Sequence, residues 1–572
     1  MAARHIHCHR VGSEDPMRVL CCLGGLIVAA ACSSEVAGDY GGSLVDGGAS
    51  ADSGYVGCLS SNECPAGYVC NDFGRCERPP STDAGVMPPP EVEYDFGAPI
   101  SSQRYVYVAM TAEDSLARID GTTLAVRSTK VGESPREVAT IPGTDGAVVL
   151  DTSNGTATIV RPDGDSDAIR VLGTLQRLNR LDIDPSGRFA VIWFDLAKAI
   201  AEGNITNVGS FQDVTVLALA PGAEKAVNLT VGFRPRNVQF DAAGNRAYVV
   251  TEDGVSVIDL AYATDHEPSI VPPIPVIDPS VPASDVEVDI VATGEYAAVR
   301  QSGASSLRIV NVGSMPGVAF QIPLASPPTD IDLAPDGARL YAVLRSAKQL
   351  AIIDVPGDAQ NPTGVETVDL TNATLGSLVL SRDGHRGLLY TNATADERIT
   401  LVKLDQPGYP KQTWTLKKSV RAVGISPTGD TALLLNAKAF GDPSTASNFD
   451  DYIDKSYGYT LLDLATGFGK LQITPVDPGP FTYSPDGSKV YVNLDGGDTV
   501  NATRAIQVVT TQTGVVITKP LGSPPSSVGM LPGAAQAFVA QRHPLGRVSF
   551  LDLTSDAVRT VTGFDLNSQV VQ

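Results

Sequence analysis

The sequence contains few of the residues that most often perform catalysis. Its 572 residues include only six histidines and eight cysteines, and residues 77–572 contain no cysteine. No C-x-x-C-H, H-E-x-x-H or G-x-S-x-G motif and no glycine-rich phosphate-binding loop is present. These absences argue against haem attachment, zinc-peptidase chemistry, α/β-hydrolase chemistry and nucleotide binding.

An excess of basic residues is also missing. The 64 acidic and 42 basic residues give a formal net charge of −22, and a field of that sign repels phosphate backbones. We therefore expect no nucleic-acid partner. The later histidines, His266, His385 and His543, stand far apart in sequence, and each is expected on a turn or at the surface. The sequence predicts no metal, no cofactor and no catalytic residue.

Long apolar runs are absent after the N-terminal region. Residues 19–31 form a 13-residue apolar run that ends in three alanines and leads directly into Cys32. This run is too short to span a bilayer and has the length of a secretory signal. Translation starts at either Met1 or Met17. No later segment offers 18 uninterrupted apolar residues, so we expect no other membrane span.

The end of this run resembles the lipobox of bacterial lipoproteins, although Ala29 stands where Leu or Val is usual. The resemblance implies that residues 1–31 are removed and that Cys32 carries lipid. Because Ser33 is not the Asp associated with inner-membrane retention, it also implies an outer-membrane lipoprotein facing the periplasm or the cell surface. The alternative is an ordinary signal peptide cut after the alanines.

Four cysteines form a small module, Cys58, Cys64, Cys70 and Cys76, each separated from the next by five residues. So short a secreted segment cannot bury a core, which favours two disulfides over a zinc site, and three pairings remain open. The spacing resembles the Dickkopf-like modules of bacterial surface lipoproteins, which implies a spacer or interaction role.

The composition divides the chain into consecutive regions. Segments rich in small polar residues or in proline cannot bury a core and are expected to act as linkers. The predicted order is a signal peptide at 1–31, a flexible tether at 32–57, the disulfide module at 58–76, a Pro-rich linker at 77–100 and one large domain at 101–572.

A sequence motif typical of a β-hairpin recurs along the large domain. Its copies include DIDPSGRFAVIW, DLAPDGARLYAVL, GISPTGDTALLLN and YSPDGSKVYVN. Pro or Asp with a following Gly suits a tight turn between two strands. The first strands of these hairpins are expected to begin near Glu137, Arg180, Asn237, Val286, Thr329, Ser377, Arg421, Pro480 and Ser527, at spacings of 43 to 59 residues.

A second recurring pattern is a short apolar strand, found in ten copies between Ser115 and Leu553 and written as SLARID, VSVIDL or LAIIDV. A period near 45 residues with four strands per unit predicts an all-β fold, a β-propeller of about 8–10 four-stranded blades, with one ring favoured over the alternative of two smaller rings. Residues 104–110 begin the repeat as a second strand, and residues 564–572 are expected to supply the missing innermost strand.

The units resemble YVTN-type propellers of prokaryotic surface proteins. The matching pieces are RAYVVTEDGVSVIDL at 246–260, ARLYAVLRSAKQLAIIDV at 338–355 and SPDGSKVYV at 484–492. The resemblance covers residues 100–572 and implies architecture rather than a specific ligand. Lactonases related to these propellers have active sites that no compact motif reveals.

One acidic turn has the alternating carboxylates of a calcium loop, Asp163, Asp165 and Asp167. Ala168 stands where such a loop needs Gly, and Thr174 stands where it needs its closing Glu. We therefore predict an acidic turn and no metal site.

The connections between second and third strands vary most in length. The longest connection is predicted at residues 438–458. It combines aromatic and acidic residues, which are the candidate binding residues: Phe440, Phe449, Asp450, Asp451, Tyr452, Asp454 and Tyr457. Connections of this kind emerge on one face of a propeller, where long loops often bind partners. The alternative is a loop that only covers the neighbouring blade.

The sequence as a whole predicts a lipid-anchored β-propeller of the cell envelope that acts as a non-catalytic binding scaffold. Its expected partner is an envelope protein, a peptide or a glycan, with the membrane contacted through the lipid anchor. The alternatives are a lactonase-type hydrolase and a purely structural envelope protein. The hydrolase would gain support if carboxylates and a histidine met at the centre of the ring.

Overall fold

The computed structural model describes the repeat region and two short pieces before it. The described residues are 69–70, 76–77 and 100–564, without positions 134, 165, 204–210, 277, 279–280, 314–316, 498–501 and 544. The predicted signal peptide, Cys32, the tether and nearly all of the Pro-rich linker lie outside them. Among the described helices, none has the length and apolar character needed to cross a bilayer.

Two short strands belong to the cysteine module. Val69–Cys70 (β1) and Cys76–Glu77 (β2) pair antiparallel, with Cys70 directly opposite Cys76 in the register. Cys58 and Cys64 lie outside the described residues. The two disulfides therefore stay a prediction.

Ten small antiparallel sheets follow one another along the chain and form the blades of a propeller. Blades 1 and 4 have three strands each, and the other eight have four. Blades 1 to 5 comprise β3 (Tyr105–Met110), β4 (Ser115–Asp120), β5 (Val126–Lys130); β6 (Glu137–Thr140), β7 (Ala147–Asp151), β8 (Thr156–Asp163), β9 (Ser166–Gly173); β10 (Arg180–Ile183), β11 (Phe189–Trp193), β12 (Asp213–Ala218), β13 (Lys225–Thr230); β14 (Pro235–Phe240), β15 (Arg246–Thr251), β16 (Gly254–Asp259); and β17 (Val286–Ile290), β18 (Tyr296–Gln301), β19 (Ser306–Asn311), β20 (Ala319–Pro323).

Blades 6 to 10 are all four-stranded and repeat the same meander. They comprise β21 (Asp330–Leu333), β22 (Arg339–Leu344), β23 (Gln349–Asp354), β24 (Glu366–Asp369); β25 (Ser377–Leu380), β26 (Arg386–Tyr390), β27 (Arg398–Lys403), β28 (Lys411–Thr415); β29 (Val420–Ile425), β30 (Thr431–Asn436), β31 (Tyr457–Asp463), β32 (Gly469–Thr474); β33 (Pro478–Tyr483), β34 (Lys489–Asp495), β35 (Arg504–Thr510), β36 (Val516–Pro520); and β37 (Pro525–Leu531), β38 (Gln536–Gln541), β39 (Arg547–Asp552), β40 (Val558–Thr562).

Helices occur only in connections between the described strands. The α-helices are α1 (Leu196–Ala201), α2 (Leu260–His266), α3 (Gly357–Gln360) and α4 (Phe449–Lys455), and the 3₁₀ turns are Thr111–Glu113, Ala283–Asp285, Pro362–Gly364, Pro443–Thr445 and Pro532–Ala534.

The recurring hairpin forms the turn between the first and second strands of a blade. In blade 9, the Asp486 carboxylate accepts hydrogen bonds from the Ser484 hydroxyl at 2.6 Å and from the Ser488 backbone N–H at 3.0 Å. Gly487 has a φ of +70°, which favours glycine. The second strand that follows is buried because blades pack against both of its faces.

The ring is closed by apolar packing. Ten buried clusters occupy the ten interfaces between successive blades, including the interface between blade 10 and blade 1. At this last interface Phe538 and Phe550 pack with Val106 and Ile119, and all four side chains are at most 2% exposed. A single blade cannot bury both of its faces, so each depends on its neighbours.

Hydrogen bonds join neighbouring blades at the face that carries the hairpin turns. A side chain in the second strand of one blade, or just before that strand in the case of Arg188, donates to a turn carbonyl of the next blade. The pairs are Tyr107 to Asp145, Arg188 to Gly244, Tyr248 to Gly294 and Arg386 to Gly429.

The innermost position of blade 1 is occupied in part by the chain just before it. Ser101 forms an antiparallel bridge with Val106, its hydroxyl donates to the Met530 carbonyl of blade 10, and its carbonyl accepts from Thr140 of blade 2. The sequence predicts residues 564–572 at this position. Of that segment only Phe564 is described, and it packs in the cluster between blades 10 and 1.

The repeat predicted from the sequence is confirmed. Each of the nine expected first strands begins within two residues of the observed start, and all ten recurring apolar segments form third strands. Blade 4 departs from the four-strand pattern because the chain forms α2 after β16 and then a short strap. Within that strap Ile270 pairs with Thr230 of blade 3 and Ile274 pairs with Val255 of blade 4.

Candidate functional site

The long connection of blade 8 is a folded element rather than an open loop. It runs from residue 437 to residue 456 and contains a 3₁₀ turn and α4. Asn448 caps α4, since its side chain accepts a hydrogen bond from the Asp451 backbone N–H at 2.9 Å. Lys455 forms an ion pair with Asp451 at 3.0 Å one helical turn away.

A buried lysine anchors this connection to the body of the blade. Lys418 is only 1% exposed, and its ammonium donates to the carbonyls of Ile453 and Asp454 at 2.6 and 2.9 Å. These carbonyls end α4, where a positive charge is favourable. Burial lowers the pKa of Lys418 to about 8, with Asp454 opposing the shift.

Three of the predicted binding aromatics are exposed. Phe449 is 74%, Phe440 44% and Tyr452 42% exposed. Asp450 is exposed beside them on α4. The connection therefore presents exposed aromatic side chains beside a carboxylate, while Lys418 holds its backbone in place.

The other predicted residues of this region have mainly internal roles. Hydrogen bonds from Ser447 and the contact with Lys455 lower the pKa of Asp451. Burial raises the pKa of Asp454. Tyr457 is not part of the loop, because it is the first residue of β31, where its ring lies 5.2 Å from the Lys438 ammonium.

A second candidate site lies at the centre of the ring. First strands of several neighbouring blades contact one another, as β6 and β10 or β21 and β25 do, which places the first strands innermost. Four carboxylates alternate along two of them, Glu287 and Asp289 on β17 and Asp330 and Asp332 on β21. They line a cavity of about 320 Å³ that Tyr390 also borders.

These carboxylates have few compensating cations. Arg300 pairs with Glu287 at 2.5 Å, and Asp330 accepts a hydrogen bond from the Leu378 backbone N–H at 2.8 Å. Burial, reinforced by Glu287, raises the pKa of Asp289 to about 7. Burial and the neighbouring carboxylates raise the pKa of Asp332 well above its usual range, and its Oδ2 is buried without a hydrogen bond among the described residues.

No described histidine reaches this cavity. His266 stacks on Tyr262 at 4.2 Å on the exposed side of α2, and His385 pairs with Asp383 in a hairpin turn. His543 accepts a hydrogen bond from the Leu545 backbone N–H in another connection. The carboxylate half of the constellation expected for a hydrolase is therefore present, and the described region does not place a histidine beside it.

The acidic turn at 163–167 contributes to the packing between blades. Asp167 forms an ion pair with Arg118 of blade 1 at 2.7 Å, and the two side chains are 5% and 3% exposed. Thr129 also donates to Asp167 at 2.5 Å. Asp163 ends β8 on the opposite side of the hairpin, and Asp165 lies outside the described residues.

The central carboxylates are not among the residues predicted from the sequence. A sequence pattern that marks them is present. The first strands VEVDI and DIDL alternate acidic with apolar residues, whereas the first strand SLVL of blade 7 has no charged residue. The cue was weak because alternation also describes an ordinary strand with one solvated face. Only the ring brings the two strands side by side.

Comparison with known proteins agrees with the architecture. A family model described as lactonase, seven-bladed β-propeller, matches residues 213–408, which extend from β12 past the end of β27 and include all four central carboxylates. No curated protein matches this chain in sequence. The chain is a β-propeller protein, and its ten blades exceed the seven of that family description.

Several solved structures are distantly similar. They are hydrazine synthase of Kuenenia stuttgartiensis (16% identity, 46% of this chain and 76% of that chain, TM-score 0.29), the dihydro-heme d1 dehydrogenase NirN (14%, 73% and 72%, 0.39) and a eukaryotic initiation factor (10%, 71% and 96%, 0.44). These similarities are too distant to transfer an activity to this chain.

Proposed function

We propose that this β-propeller is a binding scaffold of the cell envelope and that its contact surface is the blade 8 connection, residues 437–456. The observation that carries the proposal is the exposure of Phe440, Phe449 and Tyr452 on an element whose backbone is anchored by Lys418. Exposed aromatics on a rigid support lose little conformational entropy on binding.

The chemistry of this surface favours a partner with apolar and cationic or hydroxyl groups. Aromatic rings offer faces for sugars and side chains, and nearby Asp450 accepts hydrogen bonds or pairs with cations. An envelope protein, a peptide or a glycan meets these requirements. The connection lies on the face where all second-to-third strand links emerge, so a large partner has access to it.

The location proposed for this scaffold is the outer membrane, facing the periplasm or the cell surface. The support is the sequence of residues 19–31 followed by Cys32, which suits lipid attachment. Lipid attachment is tested by mass spectrometry of the mature N-terminus from envelope fractions. An unlipidated N-terminus beginning at Cys32 or later would show an ordinary signal peptide instead.

The binding proposal is tested by pull-down from detergent-solubilised envelope with residues 33–572 as bait. A second bait carries Phe449→Ala and Tyr452→Ala, which change only exposed surface. The matched control is Phe468→Ala, because Phe468 is 69% exposed in the turn after β31, on the opposite face. Retention by the parent and the control, with loss from the double variant, is expected. Equal retention by all three baits would exclude this surface.

A second candidate function is hydrolysis of a lactone at the central cavity. It is favoured by Asp289, whose pKa of about 7 suits a general base at neutral pH, and by the lactonase family model that spans it. In this reaction Asp289 would take a proton from a water that attacks the lactone carbonyl. Asp332, held protonated by its neighbours, would donate to the departing ring oxygen.

The hydrolase candidate is tested with glucono-1,5-lactone in a pH-stat. Activity that Asp289→Asn abolishes, and that the exposed control Asp405→Asn leaves unchanged, would establish it. A rate that does not exceed the uncatalysed reaction, or one that is equal in both variants, would remove it. A purely structural role would follow if neither a partner nor turnover were found.

A further inference from the structure

We propose that a cleft between blades 2 and 3 binds a small hydroxylated carboxylate, such as a sugar acid. The cleft has a volume of about 400 Å³ and opens on the same face as the blade 8 connection, five blades away around the ring. This site is independent of the two functions proposed above. It uses different residues and an anionic ligand, whereas the blade 8 connection favours apolar and cationic groups and the central cavity would take a neutral lactone.

The cleft is built from three connections that meet on this face. Thr152 and Ser153 come from the link between β7 and β8, and Gln176 and Asn179 come from the link between blades 2 and 3. Lys198 lies on α1, in the link between β11 and β12. Hydroxyl and amide groups on two sides therefore face a cationic side chain on the third.

The walls of the cleft are fixed by internal contacts. The Lys198 ammonium pairs with Glu137 and donates to the Asn179 carbonyl at 2.9 Å. The Asn179 side chain in turn donates to the Asp195 carbonyl at 2.9 Å and accepts from the Asp195 backbone N–H at 2.6 Å. These bonds hold α1 against blade 2, so the cleft exists before any ligand arrives, and little ordering accompanies binding.

The charge of the cleft is opposite to that of the molecule. Its lining includes three cationic side chains, Arg136, Arg177 and Lys198, and two acidic ones, Glu137 and Glu202, whereas the whole chain carries 64 acidic and 42 basic residues. Lys198 and Glu137 neutralise each other. The ionisable residues of the lining therefore have a formal charge of +1 on a protein whose net charge is −22, which favours an anion in the cleft over one at an average surface position.

Arg136 is the group placed to receive the carboxylate. It is exposed at the rim, just before β6, and its guanidinium has no ion pair or hydrogen bond among the described residues. A planar guanidinium pairs with a carboxylate through two parallel hydrogen bonds. Thr152, Ser153 and Gln176 supply the polar groups that suit ligand hydroxyls.

Isothermal titration of soluble residues 33–572 with D-glucuronate tests the proposal, with D-glucose as the uncharged probe and glucose 6-phosphate as a second anion. Saturable binding of glucuronate, and none of glucose, is expected. Tighter binding of the phosphate than of glucuronate would overturn the carboxylate assignment. No saturation by either anion would overturn the site.

Two variants locate the binding. Arg136→Gln is expected to weaken glucuronate binding by about tenfold or more, as loss of a charge-assisted contact does. Arg382→Gln is the matched control, because Arg382 is an exposed arginine in a hairpin turn on the opposite face, and it is expected to leave the affinity unchanged. Equal weakening in both variants would show a nonspecific charge effect, and unchanged binding in Arg136→Gln would exclude the cleft. Thermal unfolding of each variant confirms that the fold is intact.

Discussion

At the scale of single residues, two buried ionisable side chains show how the surroundings of a charge determine its role. Lys418 and Asp332 both place an ionisable group inside the protein, but their surroundings differ. Lys418 donates to two carbonyls at the end of α4, whereas Asp332 faces further carboxylates at the centre of the ring. The contact of Lys418 supports α4, whereas the surroundings of Asp332 raise its pKa and favour its protonated form.

Replacing the anchor lysine should loosen the blade 8 connection. Lys418→Met keeps the apolar stem and removes the donor, which leaves the Ile453 and Asp454 carbonyls without it. We expect a loss of roughly 1–3 kcal/mol in the free energy of unfolding and faster amide exchange across α4. The exposed neighbour variant Lys417→Met should behave like the parent. Unchanged exchange in α4 would contradict the anchoring role.

The central carboxylates should make stability depend on pH. Because the pKa of Asp289 is raised in the folded protein to about 7, the folded state holds a proton that the unfolded state releases near pH 4. The stability contributed by this proton is fully present below pH 4 and is lost as pH rises to about 7.

Neutralising Asp332, the carboxylate near Asp289, should reduce this loss of stability at high pH. We expect Asp332→Asn to raise the free energy of unfolding at pH 8 by roughly 1–3 kcal/mol and to change it little at pH 4, since a like charge is removed only where both groups ionise. Urea unfolding at the two pH values measures this. A variant that is less stable than the parent at pH 8 would show that the Asp332 charge is compensated.

At the scale of the element, each blade depends on contacts with the next one as well as on its own strands. Tyr248 illustrates this dependence, because it lies in the second strand of blade 4 and donates at 2.5 Å to the Gly294 carbonyl in the first turn of blade 5. Burial raises the pKa of Tyr248 to about 12, so the hydroxyl remains a donor at any physiological pH.

Removing this hydroxyl should weaken one blade contact without disturbing the strand. We expect Tyr248→Phe to lower the free energy of unfolding by about 1 kcal/mol, the typical value of one buried hydrogen bond. Tyr262→Phe is the control, because Tyr262 is 55% exposed on α2. Chemical denaturation of both variants compares them, and an equal effect would show that the bond to Gly294 adds no stability.

At the scale of the whole molecule, the ten described blades form one closed ring. The seam between blades 10 and 1 joins segments more than 400 residues apart in sequence, and its buried cluster resembles those between sequential blades. A closed ring leaves no blade with an uncovered face.

A cavity at the seam should therefore destabilise the whole ring. Phe550 is fully buried there, and we expect Phe550→Ala to cost about 3–5 kcal/mol in the free energy of unfolding. The exposed control Phe468→Ala should have almost no effect. Chemical denaturation gives both values. A small cost for Phe550→Ala would mean that the seam opens without loss of the remaining blades.

The repeated unit can be predicted from the sequence alone, because turn chemistry and strand alternation act over a few residues. The Pro-Asp-Gly type turns and the ten apolar third strands were enough to predict a propeller of about 8–10 blades. The local pattern also located the long aromatic and acidic connection of blade 8, although it extended that loop by two residues into β31, where Tyr457 already pairs with Thr474 of β32.

Which side chains contact one another depends on how the blades pack in three dimensions. Glu287 and Asp332 are 45 residues apart in sequence and share a cavity because the packing of blade 5 against blade 6 brings β17 and β21 together. Lys418 reaches α4, and Arg136 reaches the cleft beside α1, through the same stacking of blades. Strand and turn preferences are local properties of the chain, whereas burial and the pKa shifts it causes arise only when distant strands pack together.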